Sequence, residues 1–499
     1  MNQFHKAILL SFFTVSVNAQ SLKDVIRYST PNLTGTARFT AMGGAFGALG
    51  GDLSALQVNP SSSSIFEYSQ IGVTMNSVKN KINSEYFGSG YEISSSDLDF
   101  DQFGFAFILK NSDSEPWSKI SFAFDYQQTA KFNSVFEAEG YNPNGIDNYF
   151  LGFAQGVALN YFQPSERETI SGLYSYLGEN FGFDSQQGLL GYQSYIIEPN
   201  LDEPLNTDYY STVNPASNGY FHEYVTSRSG GIKKYAFNFS GEYQKKYYFG
   251  LNLNSYNLEY IEETDFYESN YSDTSALNSF RFNNRLLTLG KGFSYQIGGI
   301  AKLTQQLRLG LSYESPTWFS ILEETEQFVA SNNGLDITVE PQIINTYPEY
   351  RFKTPSKYTG SLAYIFGKKG LISIDYTQVN YDSANFNEPN DSYLRDQNEI
   401  IENNLSTEGI LKIGGEYRFG NYSLRAGYVN QKAFMKNVDN GGSIMSIGGG
   451  INFGGSSLDL SIASSDFNDQ QQLFPSGLTD VINLKRDHLN VRLTYVLKL

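Results

Sequence analysis

Cysteine is absent from the 499-residue chain, so disulfides, thiolate zinc sites and cysteine nucleophiles are excluded together. Histidine is scarce: of three, one falls in the leader, and His222 and His488 lie far apart, each reading as a loop or strand-end residue rather than a base. Basic clusters are missing as well. With 35 basic against 52 acidic residues and a net charge of −17, nothing offers phosphates a docking stripe, and nucleic acid is not an expected partner. No interior apolar run approaches the ~20 residues that a membrane helix needs. If this chain lives in a membrane, it must cross it with strands.

What is abundant points the same way. The 37 Tyr, 38 Phe and 46 Gly, set against only 14 Pro, favour strands and tight turns over helices. At the start, Lys6 precedes the apolar run from Ala7 to Val17, and Val17-Asn18-Ala19 supplies a small-residue cleavage pattern. Residues 1–19 are therefore expected to be an export signal, with the mature chain beginning at Gln20.

Downstream, period-two alternation recurs in about fourteen segments. Phe103, Phe105, Phe107 and Leu109 share a face opposite Gly104 and Ala106, and Phe122, Phe124 and Tyr126 alternate with Ala123, Asp125 and Gln127. In the last segment Leu489, Val491, Leu493, Tyr495 and Leu497 alternate with Asn490, Arg492 and Thr494. Ionisable residues fall on the small or polar face, among them Asp125, Asp375, Glu416, Arg425 and Arg492, as a polar lumen requires. Connections alternate too. Gln244-Lys245, Leu303 to Gln305, Gly367 to Lys369, Gly420 and Gly454-Gly455 are tight, whereas the intervening connections are long, including a polar loop between strands at 69–80 and 101–110. A soluble β-sandwich has no reason to segregate long loops to one end, so the expectation is an all-β chain: a closed antiparallel transmembrane barrel with both termini on the short-turn, periplasmic side.

The connection at 131–231 is long enough to hold its own elements, with helices expected at 149–162 and 166–181. In the second, Ile170, Leu173, Tyr174, Leu177 and Phe181 recur at helical spacing; they either contact a ligand at the barrel mouth or pack the loop onto itself.

Residues 20–66 do not alternate. They contain an Ala/Gly-rich stretch with Gly43-Gly44 and Gly50-Gly51-Asp52, followed by Asn59-Pro60-Ser61. This pattern resembles the N-terminal hatch of the FadL-type outer-membrane transport family, whose members carry an Ala/Gly-rich segment, an acidic step and Asn-Pro before the first strand. Thr354-Pro355-Ser356 with Ile374-Asp375-Tyr376, and Gly414-Gly415-Glu416-Tyr417-Arg418 with Leu424-Arg425-Ala426-Gly427-Tyr428, are similar to hairpins of the same family. Ser61-Ser62 departs from the common Asn-Pro-Ala-Gly.

The resemblance implies a fourteen-stranded barrel over 67–499 admitting hydrophobic small molecules, fatty-acid-like or aromatic, with residues 20–66 as a hatch blocking the lumen and a lateral opening releasing the ligand. Gly43, Gly44, Gly50, Gly51, Asp52, Asn59 and Pro60 would shape the hatch, and the inward charges would anchor it or pair with one another. Passage would then require hatch rearrangement. Some relatives of the PorV kind serve protein secretion instead, which leaves a secretion-machinery partner as the alternative to passive uptake across the bacterial outer membrane. Others are labelled hemin receptors, a role this histidine-poor chain suits badly. The Gly448-Gly449-Gly450 run does not lead from a strand into a helix, and Glu262-Glu263 and Glu323-Glu324 read as solvated loop edges. No enzyme activity, cofactor or metal is expected; the expected partners are a hydrophobic small molecule and outer-membrane lipid. N-terminal sequencing of protein isolated from the cell envelope should begin at Gln20, and recovery of Met1 would contradict the export reading.

Overall fold

An antiparallel strand that passes every backbone donor and acceptor to its neighbours has to end somewhere, and in this chain the ladder ends by meeting itself. In the computed structural model, which describes residues 22–30, 32–112, 115–436 and 441–499, fourteen strands form one closed antiparallel barrel. The expected signal segment, 1–19, lies outside the described residues. The strands are β1 (Gln70–Tyr86), β2 (Ser89–Lys110), β3 (Trp117–Lys131), β4 (Tyr220–Tyr243), β5 (Tyr247–Ser269), β6 (Ser279–Lys302) and β7 (Leu307–Glu314). The circuit continues through β8 (Lys357–Ile365), β9 (Gly370–Asn380), β10 (Thr407–Phe419), β11 (Tyr422–Gln431), β12 (Gly442–Asn452), β13 (Ser456–Gln472) and β14 (Val481–Lys498). Closure is the pairing of β1 with β14, in register from Gln70 opposite Lys498 to Glu85 opposite Asn483. The circuit therefore begins and ends without a free terminal strand.

Alternation sorts the side chains as the sequence implies. Phe105, Phe107, Phe122 and Phe239 are exposed on the outer wall while Ala106, Ala123 and Asp125 are buried on the inner one. Outside, aromatic rings stack from strand to strand, with Phe105–Phe124 at 5.8 Å, Phe124–Phe237 at 5.3 Å and Phe122–Phe239 at 5.2 Å. Such pairs contribute roughly 1 kcal/mol each beyond burial. At the short-turn end Trp117, Tyr364, Phe366, Tyr417, Phe419 and Tyr422 form the aromatic girdle of a bilayer interface. An exposed apolar band of this height is stable only against lipid.

Two expectations are corrected. The polar stretch between the first two strands is not a loop: β1 and β2 stay paired up to a two-residue turn at Phe87-Gly88, both at positive φ (46° and 83°). Above the bilayer neither face of this hairpin needs to be greasy, so the amphipathic signal vanishes although the ladder continues. The 131–231 connection likewise gives up its ends to strands, since Ser134–Asn142 pairs with the first nine residues of β4. Its helices are α3 (Asp147–Ala154), α4 (Ile170–Phe181) and α5 (Phe183–Gln193). The last has no apolar stripe to announce it. Gln186 and Gln187 are buried but satisfied, Gln187 donating to Gln327 at 2.7 Å, and Gly188 and Gly191 let the helix approach Phe162 and Phe150 closely.

These helices pack into an apolar cluster that caps the outer end of the barrel, with Phe150, Leu177, Leu190, Phe280 and Phe474 fully or almost fully buried. Beneath it His222 is a buried residue of β4, held by Tyr86 Oη at 2.9 Å and Glu268 Oε2 at 2.8 Å, while His488 of β14 contacts Asn80. Asp147, first residue of α3, is buried with one carboxylate oxygen lacking a hydrogen-bond partner. Burial lifts its pKa to about 6, with the nearby Glu268 carboxylate adding to the effect. A raised carboxyl pKa favours the folded cap at low pH and withdraws that stability as pH rises between about 4 and 6, a penalty on the order of 3 kcal/mol at pH 7. Limited proteolysis of the cap should therefore accelerate across that window in the wild type and stay flat in Asp147→Asn; parallel pH profiles would refute the assignment.

Candidate functional site

The N-terminal segment folds by capping rather than by periodicity. Thr36 caps the single turn α2 (Ala37–Ala41), and its hydroxyl donates to Asp52 Oδ1 at 2.7 Å. Asp52 in turn accepts the Ser54 amide at 3.0 Å and starts the 3-10 turn Leu53–Gln57. Asn59 does the same for Pro60–Ile65, taking the Ser61 amide at 3.1 Å with Pro60 at the first helical position, where a missing N–H costs nothing. The reversals between these turns fall at Gly43 and Gly44 (φ 61° and 70°) and at Gly50 and Gly51 (φ 60° and 67°), a backbone region open to glycine. All seven residues expected to shape this segment thus sit at its bends and caps.

Its hydrogen-bond partners lie on strands all round the circuit, which places the segment inside the barrel. The Gly47 amide donates to Asp375 Oδ2 at 2.9 Å, Gln57 Nε2 to Asp125 Oδ2 at 2.9 Å, and Arg38 Nε to Glu416 Oε2 at 2.9 Å. Further round the circuit Asn238 Nδ2 reaches the Pro60 carbonyl at 2.7 Å and Asn252 Nδ2 the Leu56 carbonyl at 2.8 Å, while Thr40 and Ser461 hydroxyls meet at 2.8 Å. The five inward charges divide between the two expected roles. Asp125 and Asp375 hold the segment; Arg425 pairs with the wall, to Glu416 at 2.7 Å and Asp459 at 2.6 Å; Glu416 does both. Arg492 joins Asp101 at 2.9 Å and the Leu33 carbonyl at 2.9 Å. Removing one partner of such a buried pair costs about 3–5 kcal/mol.

Asp101 and Arg38 also belong to this network, and alternation hides Asp101. Strict period two puts Asp101 on the outer face with Phe103 and Phe105. A register shift between Thr74 and Met75, opposite Phe100 to Gln102, turns it inward instead. Close approach depends on wall glycines: a Cβ at Gly310 would stand 2.1 Å from the Gly47 carbonyl oxygen, at Gly250 2.3 Å from the Pro60 backbone, and at Gly414 2.4 Å from the Met42 carbonyl oxygen. The lower lumen is thereby closed by backbone laid on backbone.

Above this seal a cavity of about 1930 Å³ opens under the cap. The helix α1 (Leu22–Ser29) enters it, with Lys23 and Arg27 on its lining and the Arg27 guanidinium 3.7 Å over the Tyr260 ring. The cavity reaches a discontinuity in the wall. Pairing of β2 with β3 covers Gln102–Lys110 against Lys119–Gln127 and stops there; above it β2 stays paired with β1 and β3 with β4. Asp99, Lys131 and Phe132 line the cavity at this window, with Lys131 Nζ 3.3 Å from Asp99 and 3.2 Å from Asp101. Asn80 donating to the Asn133 carbonyl at 3.1 Å closes it at the top. Of the loop residues picked for a ligand surface, Leu173, Tyr174 and Leu177 are buried in the cap core, Ile170 packs against it, and Phe181 is exposed against Tyr161 at 4.9 Å. None of the five lines the cavity; Tyr149 and Phe183 do. Among the described residues no group of three or more His, Asp or Glu is placed to hold a metal ion.

No family model and no curated protein matches the chain. Solved structures do. The toluene transporter TodX of Pseudomonas putida is 13% identical over 94% of this chain and 100% of its own, with a TM-score of 0.51. A Pseudomonas aeruginosa FadL homologue is 10% identical over 94% of this chain and 99% of its own, with a TM-score of 0.56. At such identities the likeness is one of fold: this chain has the FadL-type barrel.

The seal can be tested through its glycines. Gly310→Ala should strain the Gly47 contact by about 1–3 kcal/mol, leave the barrel intact and make it leak small ions in planar bilayers. A variant as tight as the wild type would mean that the contact is not what closes the lumen.

Proposed function

We propose that the protein is an outer-membrane channel for passive uptake of hydrophobic small molecules, fatty-acid-like or aromatic, in which residues 20–66 act as the hatch. One observation carries the reading: a large cavity under the outer cap meets the axial path where it is filled and the wall where its ladder is interrupted. An aqueous pore gains nothing from a greasy side exit, whereas an apolar ligand does, because leaving through the window takes it into lipid without crossing the polar seal. Ala37 to Phe66 forms the fixed base of the hatch. The arm from Leu22 to Ser29, which lies across the cavity, is the part that moves, and a ligand advances only when the arm gives way.

The likeness in fold to the toluene transporter TodX is compatible with this assignment, and the cavity favours it over a role confined to binding a secretion partner, for which a sealed lumen would serve. Cells exporting the chain should take up labelled toluene or decanoate faster than cells lacking it. Deleting residues 20–58 behind an intact signal should leave a folded barrel that passes small sugars in liposome swelling. Uptake and swelling both unchanged by the deletion would remove the gate from the account.

A further inference from the structure

Where β6 turns into β7 at the short-turn end, Lys302 and Arg308 stand directly opposite each other in the ladder, on the face that looks into the lumen. Like charges so placed, with Cβ atoms about 5 Å apart, are destabilising unless an anion lies beside them. The wall supplies none. The other charged groups close to Lys302 are Lys119, Glu242 and Glu67. Glu242 is engaged by Lys119 at 3.1 Å and by the Ser118 hydroxyl at 2.6 Å, and Glu67 by Lys119 at 2.9 Å and Lys110 at 3.7 Å. Two carboxylates are thus shared by lysines of β2 and β3, and neither Lys302 nor Arg308 forms an ion pair among the described residues. Their contacts are with carbonyl oxygens and a ring. Lys302 Nζ lies 3.5 Å from the Lys245 carbonyl and 4.8 Å from the centre of the Tyr248 ring, while Arg308 Nη1 donates to the Leu49 carbonyl at 2.8 Å. Arg308 Nε is buried with no acceptor, although both residues remain partly exposed.

We propose that Lys302 and Arg308 form a binding site for a small divalent oxyanion of the phosphate class, entered from the periplasm beneath the hatch. Two cations without a carboxylate call for a dianion, and the planar guanidinium, with its donors in one fork, suits the oxygens of a phosphate. With Nη1 held by Leu49, the edge formed by Nε and Nη2 is left for the ligand. A slight rotation of the guanidinium brings the Nε–H, now without an acceptor, onto the same anion that Lys302 Nζ meets from across the ladder. Ala363, opposite Arg308 on β8, and Leu49 belong to an apolar cluster, and a charge-assisted hydrogen bond beside it is stronger than in water. A monoanion leaves one cation uncompensated and binds more weakly. Leu49 precedes the Gly50-Gly51 bend, so the occupied site ties the wall to the underside of the hatch base, on the same strand as the contact between Gly310 and Gly47. The site lies off the path to the side window and stands whether or not the barrel conducts hydrophobic compounds.

The test uses the full-length chain in phosphatidylcholine nanodiscs, with labelled inorganic phosphate, glycerol 3-phosphate and acetate as probes, at a pH where phosphate is a dianion and with protein-free discs subtracted. Wild-type protein should bind phosphate saturably, one per barrel and at least tenfold more tightly than acetate. Glycerol 3-phosphate separates the two sources of the same chemistry: binding as tight as that of phosphate extends the site to phosphate monoesters, and weaker binding confines it to the free ion. Arg308→Gln and Lys302→Gln should each weaken phosphate at least tenfold, and Lys302→Arg should keep it within a few-fold of the wild type. Heat-modifiable electrophoretic mobility checks that each barrel is folded, and the wild-type preference for phosphate over acetate is a measurement that needs no variant. Equal retention of phosphate and acetate by the wild type, or undiminished phosphate binding in either folded glutamine variant, overturns the site.

Discussion

Everything in this molecule follows from the need to pair every backbone N–H and C=O that lipid would otherwise leave unsatisfied. The ladder meets that need by closing on itself through β1 and β14. Closure fixes the rest by alternation, because a wall that is aromatic outside must be small or polar inside. A lumen lined by Asp101, Asp125, Asp375, Glu416 and Arg492 cannot be left dry and unpartnered, and the N-terminal segment is the partner. It meets the wall through capped turns and exposed amides, the groups a short irregular chain has in surplus.

The division of labour along that segment follows from how each part is held. From Ala37 to Phe66 the contacts are hydrogen bonds to opposite sides of the barrel and backbone against wall glycines, neither of which can slide by a small amount. From Leu22 to Ser29 the hold is largely apolar, with Val25 and Tyr28 packed among Phe352, Tyr381 and Phe386. Packing of that kind accommodates repositioning far better than a network in which each displaced group is left unpaired. The window between β2 and β3 opens beside this looser part, so the place where the wall is interrupted and the place where the plug can yield coincide.

Most of the barrel was legible because each crossing strand repeats one two-residue rule, and most tight turns are marked by Gly or by a short polar pair. The rule fails where the bilayer ends and where register shifts. The hairpin tip around Phe87-Gly88 lost its greasy face and read as a loop, and Asp101 was hidden by a bulge in its own strand. The hatch was found through composition and order, Gly43-Gly44, Gly50-Gly51-Asp52 and Asn59-Pro60, because bends and caps have residue signatures even when periodicity is silent. Its wall contacts were only partly visible. Inward charges could be named, but the choice between holding the hatch and pairing across the wall depends on distances that no one-dimensional pattern encodes. The ligand-loop residues Ile170, Leu173, Tyr174, Leu177 and Phe181 show the converse: an amphipathic stripe announces a helix and a buried face, without saying what covers it.

The most direct test of a fixed base with a yielding arm is to lock the base and measure passage. Thr40 and Ser461, whose hydroxyls are 2.8 Å apart, can be replaced together by cysteine in a chain that contains none of its own, so that oxidation ties α2 to β13 and nothing else. Uptake of a labelled hydrophobic probe by cells carrying the oxidised double variant should equal that of the same cells after reduction. If oxidation stops uptake and a reductant restores it, the whole hatch must move for a ligand to pass, and the account of a static seal beside a side exit is wrong.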